Sequence, residues 1–439
     1  MLVATGFAWC GQRLRTGSLR RVERDETAAM LWRRSARVVA IVVVILATAC
    51  AAPPTISEPA TPESEPSSAP AATAVDLDAV CADPGSCLVL LATVIDGTSA
   101  AALPDAVVVI LGERIIAVGP RDELSIPAQV QAIELSGATI LPGFINAHVH
   151  NAYKEQNLRW WAQEGVTTVR DLGERLGFPY FSTRDRLRAD PQNAWLISDG
   201  PLVTVPRGYP IAGNSFPSLT VTSPEDAREK VVRLIDDGAE LIKITLTSGG
   251  APSLSAAEAA AIVETAHERG VPVSAHATTA RDVQRALDAG VDDVAHLATD
   301  QASDRLVRQM VERGVYWVPT LEALRGRGAE NLQRFLAAGG HVALGNDGGY
   351  LSGLEIGMPM AEIRAMSKAG MTPMQIIIAA TRDAARVCQQ EASLGTLEAG
   401  KFADVLVVEG DPLQDLEALT RVRMVIHRGV VIRDERQGN

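Results

Sequence analysis

Basic charge is in short supply in this 439-residue sequence: 41 lysines and arginines face 53 acidic residues, giving a formal net charge of −12. No basic run interleaved with aromatics offsets that balance, which argues against a nucleic-acid partner. Cysteine is sparse, and the five present follow no zinc-finger spacing. No short-period repeat interrupts the chain. No apolar run is long enough to span a bilayer: Val38–Ala49 falls short of the ~20 residues a spanning helix needs. What remains is the composition of a soluble globular protein with one anchor segment near its start.

That segment begins at Met30-Leu31-Trp32-Arg33-Arg34, continues through apolar residues from Val38 to Ala47 and ends in Thr48-Ala49-Cys50. A positive stretch, a short apolar core and small residues before a cysteine read as a secretory signal. The run ending at Cys50 resembles a bacterial lipoprotein cleavage box, although Leu46 stands one place early. The resemblance implies acylation at Cys50 and an extracytoplasmic location, in the periplasm or cell envelope. Residues 1–29 read as a stretch upstream of the true start, and residues 1–50 together as extension and signal. Residues 51–75, rich in Pro, Ser, Glu and Ala without periodicity, are expected to form a disordered linker. Cys81 and Cys87 flank a Pro-Gly turn. In an oxidising compartment they could close into a disulfide, and free thiols are the alternative.

Short β-branched runs at Leu88–Ile95, Ala106–Leu111 and Arg114–Val118 predict hairpin strands. Ala132–Leu135 and Thr139–Leu141 continue the pattern, and Asp404–Val408, Val422–Ile426 and Gly429–Ile432 share its texture. Residues 76–143 and 392–439 are therefore expected to combine in one small β domain. Between them, residues 144–391 alternate short apolar strands with segments of helical period, several ending in glycine. Strands are expected at Thr167–Asp171, Ala194–Ser198, Leu241–Thr245, Val271–Ala275, Val291–Ala295, Val315–Pro319 and Val342–Gly345. The fold class that follows is α/β: a (β/α)₈ TIM barrel inserted in a small β-sandwich domain built from both chain ends.

Barrel chemistry sits at the carboxyl ends of the strands. His148 and His150 end the first strand, in Leu141-Pro142-Gly143-Phe144-Ile145-Asn146-Ala147-His148-Val149-His150. Residues i and i+2 on a strand share a face, so the two imidazoles converge. Lys243 lies within the fourth strand, His276 and His296 end the fifth and sixth, and Asp347 follows the eighth. Four of the seven histidines thus fall at the expected mouth, which points to a metal site. His267, His341 and His427 read as ordinary surface or small-domain residues.

These residues in this order resemble the amidohydrolase superfamily of metal-dependent hydrolases, nearest the branch of imidazolonepropionase-like proteins and carboxylated-lysine dipeptidases. The resemblance extends from Leu88 to the C-terminus. Besides the His-Val-His stretch it rests on Gly165–Asp171, Gly238–Ile244, Val271–His276, Ala343–Asp347 and Leu394–Asp404. It implies that His148, His150 and Asp347 hold one divalent metal and His276 and His296 a second. Lys243, carboxylated by carbon dioxide, would bridge the two metals as a carbamate. A lysine ammonium between two dications would be repelled, whereas a carbamate supplies an anion. Zinc is the first choice of metal for these ligands.

The expected function is a metal-dependent hydrolase that cleaves an amide bond, whether non-peptide, cyclic or in a dipeptide. A metal-bridging hydroxide would attack the carbonyl while Asp347 acts as general base and then acid. The alternatives are lactone or ester hydrolysis on the same site, or a non-catalytic extracytoplasmic binding lipoprotein. Deamination is disfavoured, because His276 is followed by Ala277-Thr278-Thr279 with no carboxylate before Asp282. The expected partner is a small-molecule substrate, with membrane contact only through the lipid anchor. Arg207 and Tyr209, in a turn after the third strand, could contact a substrate carboxylate or ring, or be plain turn residues. Ala295-His296-Leu297 stands where many relatives have Glu-His-Gly. The segment from Tyr316 to Gly345 also looks shorter than in the dipeptidases, which implies a more open pocket.

Overall fold

The computed structural model describes residues 76–83, 85–211, 216–247, 249–350 and 353–435. The signal, the linker and Cys50 lie outside the described residues. Among the described residues, no helix is long and apolar enough to cross a membrane.

Seven strands drawn from both chain ends form one sheet. They are β1 (Cys87–Val94), β2 (Leu103–Leu111), β3 (Arg114–Pro120), β4 (Ala132–Pro142), β14 (Val405–Glu409), β15 (Val422–His427) and β16 (Val430–Asp434). Their order is β16-β15-β14-β4-β1-β2-β3. Alternation along β1 sends Leu90 and Val94 to one face and Val89 and Leu91 to the other, and both faces are buried. Leu90, Val108, Ile110, Val405, Met424 and Ile426 share the first core, so neither chain end could fill it alone. The sheet folds over this core until β3 meets the start of the C-terminal segment. There Ile115 N–H donates to the Lys401 carbonyl at 3.0 Å and Ala403 N–H to the Glu113 carbonyl at 2.8 Å. The sandwich is thus one continuous, folded sheet. Its second face packs on Leu77 and on Cys81 and Cys87, which are joined in a disulfide.

The barrel strands are β5 (Phe144–Val149), β6 (Val166–Asp171), β7 (Trp195–Ser198), β10 (Ile242–Thr245), β11 (Val273–His276), β12 (Asp293–Ala295) and β13 (Tyr316–Val318). β5-β6-β7 and β10-β11-β12-β13 are parallel ladders. Glu240 N–H donates to the Ser198 carbonyl at 3.0 Å, bridging β7 to the start of β10. The eighth position is taken by residues 342–347, whose backbone bonds both neighbours. Ala343 N–H donates to Trp317 of β13 at 3.0 Å, Ala147 N–H of β5 donates to Leu344 at 2.8 Å, and Asp347 N–H donates to His148 at 2.9 Å. The ring of parallel segments is therefore a TIM-type barrel.

Gly345 is required at that closure. A Cβ there would lie 2.5 Å from Val318 Cγ1 and 2.7 Å from His148 Cβ. The helices between strands follow their caps. Ser223, Thr279 and Ser303 accept from the amide three residues on, Ser255 and Glu258 form a capping box, and Gly290 closes its helix with φ +89°. Helices at Glu155–Gln163, Tyr180–Arg188, Ala329–Ala337 and Met360–Lys368 add to those expected from period alone. A short excursion, β8 (Val203–Thr204) and β9 (Leu219–Thr220), pairs beside β10, and between them Tyr209, Pro210 and Phe216 reach the cavity at the barrel mouth.

Candidate active site

The strand ends deliver six polar side chains to one cavity of about 230 Å³: His148, His150, Lys243, His276, His296 and Asp347 all line it. His148 and His296 rings lie 4.9 Å apart between centroids, and His276 and His296 lie 4.5 Å apart. Asp347 Oδ1 is 3.1 Å from His148 Nε2 and 3.0 Å from His150 Nε2. Two of these residues hold left-handed backbone, His296 at φ +71° and Asp347 at φ +62°. Such conformations cost ordinary residues free energy and cluster where geometry serves function.

The imidazoles are oriented from behind. His150 Nδ1 lies 3.3 Å from the Gly173 carbonyl, an acceptor only, so that nitrogen carries the proton of a neutral ring. His150 Nε2 then has only a lone pair to present to the Asp347 carboxylate, and two lone pairs at that distance repel. A positive charge reconciles them, either an imidazolium or a cation shared by both groups. His296 Nδ1 is 2.8 Å from Thr320 Oγ1. His148 Nδ1 is buried without a hydrogen-bond partner. Asn146 supports the backbone beneath, accepting from His148 N–H and donating to Asn346.

Burial, with Lys243 as the next contributor, holds His148 and His276 down to about 3, so both rings are neutral ligands at ordinary pH. Burial also keeps His296 well below its usual value. Burial alone would push the Asp347 carboxyl up, but its contacts with His148 and His150 hold it well below the usual carboxylate range. Lys243 is 2 % exposed, and its Nζ has no hydrogen-bond partner. Burial brings its amine down to about 7.

These features fit divalent metal. His148, His150 and Asp347 each offer a ligand atom within 4.8 Å of one another. Neutral imidazoles, an ionised carboxylate and an orphaned buried amine form the donor set expected of such a centre. Lys243, His276 and His296 share the same cavity as this triad.

The two turn residues separate. Tyr209 faces the cavity, with its ring stacked on His276 at 4.6 Å and 27°. Arg207 is exposed, with φ +62°, and is not among the residues that line the cavity. The turn brings Tyr209 and Pro210 to the cavity, and the Tyr209 carbonyl accepts from Thr245 Oγ1 at 3.1 Å. His267, His341 and His427 lie elsewhere, beside Asp292, Asp383 and the Pro191 carbonyl. Thr320, Phe216 and Tyr350 are site residues that sequence reasoning missed. The fold brings Phe216 from the loop after β8 and Tyr350 from the loop after the eighth segment, and neither belongs to a periodic motif.

The sequence model of the amidohydrolase family matches residues 139–432. The chain is 26% identical over 396 residues to an imidazolonepropionase of Symbiobacterium thermophilum, covering 76% of this chain and 92% of that protein. It is 26% identical over 363 residues to ochratoxinase of Aspergillus niger, covering 66% and 74%. Among solved structures it resembles a Xaa-Pro dipeptidase with methionine bound in its active site. The TM-score is 0.70 at 26% identity, over 79% of this chain and 99% of that one.

Proposed function

The chain belongs to the amidohydrolase family, hydrolases of carbon–nitrogen bonds, and from that premise we propose that it cleaves an amide bond of a small molecule at a two-metal centre. His148, His150 and Asp347 would hold one ion, His276 and His296 the other, and Lys243 would join them as a carbamate. The observation that carries this reading is the Asp347 carboxylate oxygen lying 3.0–3.1 Å from two imidazole nitrogens, one of which has its proton committed elsewhere. Bound divalent metal would polarise the substrate carbonyl and ionise water near neutral pH.

The chain's own residues do the rest. Gly173 and Thr320 fix the rings of His150 and His296, so that each presents its Nε2 inward. Asp347, ionised at ordinary pH, accepts a proton from the attacking water and returns it to the leaving nitrogen. Lys243, with its pKa down to about 7, has a substantial fraction of free amine. That amine can add to carbon dioxide: the nitrogen–carbon bond forms, one proton leaves the nitrogen, and the product carries one negative charge. The charge then sits where an ammonium would be both desolvated and unpartnered.

The proposal includes an extracytoplasmic location with a lipid anchor at Cys50. The sequence before residue 76 supports it, as does the Cys81–Cys87 disulfide, since such bonds persist in oxidising compartments.

The test is a substrate panel on the purified full-length chain loaded with zinc: N-acyl amino acids, dipeptides, uncharged aryl amides, cyclic amides and lactones. Turnover of amide members is expected, lost on chelation and restored by zinc. Turnover confined to lactones would replace amide cleavage by ester cleavage, and no turnover of any member by the metal-loaded chain would contradict the proposal.

A further inference from the structure

The part of the cavity lining outside the polar cluster has its own chemistry. It is built from hydrocarbon and aromatic rings: Leu172, Leu202, Tyr209, Phe216, Leu324 and Tyr350. The three leucines are buried. Phe216 and Tyr350 meet edge to face at 5.6 Å, and Tyr350 also approaches the His150 ring at 6.1 Å. The turn that carries Tyr209 is packed tight: a Cβ on Gly208 would lie 2.4 Å from Thr204 Oγ1 and 2.9 Å from the Val205 carbonyl. An apolar cavity on the order of 150 Å³ accepts a benzene ring. About 230 Å³ therefore has room for an aryl group beside the scissile bond.

Positive charge is missing from this wall. Among the described residues lining the cavity, Lys243 is the only lysine or arginine, and it lies within the polar cluster. Residues 212–215 and 351–352, which lie next to lining residues in the chain, include no lysine or arginine either. The Arg175 guanidinium lies 5.8 Å from the Phe216 ring centroid, on an exposed residue outside the lining. The tyrosine hydroxyls are neutral donors. A substrate carboxylate held against this wall would shed water without gaining a charge-assisted partner there; it would find opposite charge only by reaching the metal-holding cluster. A neutral aryl or alkyl group would instead gain by burial against the rings.

We propose that this cavity selects uncharged substrates, amides carrying an aromatic or bulky apolar group with no free carboxylate, through the wall of Tyr209, Phe216, Tyr350 and the three leucines. The inference rests on the hydrolase reading for the position of the scissile bond but not for the selectivity of the wall. It separates this chain from an enzyme for free dipeptides or N-acyl amino acids, whose substrates bring a carboxylate into the pocket.

The test uses two probes with the same aryl amide, the anionic N-benzoylphenylalanine and its neutral methylamide, with binding measured by calorimetry on the zinc-loaded full chain and hydrolysis followed in parallel. The methylamide is expected to bind at least about tenfold more tightly than the acid. Tyr350→Arg, at a position 45 % exposed, should narrow the gap by strengthening binding of the acid, an effect that simple loss of packing would not produce. Arg175→Gln should leave the gap unchanged. Equal or tighter binding of the acid, its loss in Arg175→Gln, or no binding of either probe would each overturn the proposal. Selective binding of the methylamide without hydrolysis would uphold the selectivity and count against the hydrolase reading.

Discussion

Asp347→Asn is expected to lower kcat by about a hundredfold to ten-thousandfold, the range for loss of a positioned general base, while the chain folds as before. The substitution is unusually clean here. Asp347 sits at φ +62°, and asparagine is among the few non-glycine residues that tolerate left-handed backbone. The Asp347 N–H bond to the His148 carbonyl, which joins the eighth segment to β5, is a main-chain contact and survives the change. What disappears is an ionised oxygen 3.0–3.1 Å from two imidazoles. Measuring bound zinc beside kcat separates the two roles of the carboxylate. Retained metal with collapsed turnover identifies the proton carrier, and loss of both identifies mainly a ligand. Turnover within a few-fold of the parent would remove Asp347 from the chemistry.

The second large effect is on stability. Asp293→Ala is expected to destabilise the protein by about 3–5 kcal/mol, the usual consequence of stranding one member of a buried ion pair. Arg170 of β6 and Asp293 of β12 are 0 % and 1 % exposed at the side chain. They face each other through two bonds, Nη1 to Oδ2 at 2.8 Å and Nη2 to Oδ1 at 3.1 Å. Arg170 also donates to the Ala147 and Val387 carbonyls, and Ser274 of β11 donates to Asp293. The alanine variant removes the carboxylate and leaves a guanidinium inside the barrel with carbonyl partners alone. Replacing both members, Arg170→Met with Asp293→Leu, should recover much of the loss, because the desolvated charge goes with its partner. Urea unfolding of the parent, the single variant and the double variant provides the check. A single-variant loss below about 1 kcal/mol would mean that water or movement relieves the charge.

How much of this was legible in the sequence follows from how each residue reaches the site. His148 and His150 could be paired from spacing alone, because a strand end fixes where i and i+2 point. Lys243, His276, His296 and Asp347 could be placed because each sits in or beside a short apolar run, and a barrel presents the ends of its strands at one mouth. The structure brings all six to one cavity. Residues on loops were not legible. Tyr350 and Phe216 meet only after the chain has closed the barrel and brought the loop after β8 to its mouth, and no local period records that meeting. The same limit left Arg207 and Tyr209 open: the Pro-Arg-Gly-Tyr-Pro turn announces a bend, but not which of its side chains faces inward. Thr320, behind His296, is a hydroxyl at the end of β13 and became visible only through its 2.8 Å contact. In the small sheet, alternation gave the strands, while the folding of β3 onto residues 400–403 depends on contacts across most of the chain length.

The most direct measurement is the zinc content of the purified full-length chain beside its Lys243→Ala variant, each equilibrated with zinc and bicarbonate. A carbamate-bridged centre predicts about two ions per parent chain and a clear loss in the variant. The buried, unpartnered Nζ of Lys243 would then be the bridge rather than a bystander. One ion per chain in both proteins would contradict the bridge and leave a mononuclear site at His148, His150 and Asp347, and no ion in either would contradict the metal centre itself.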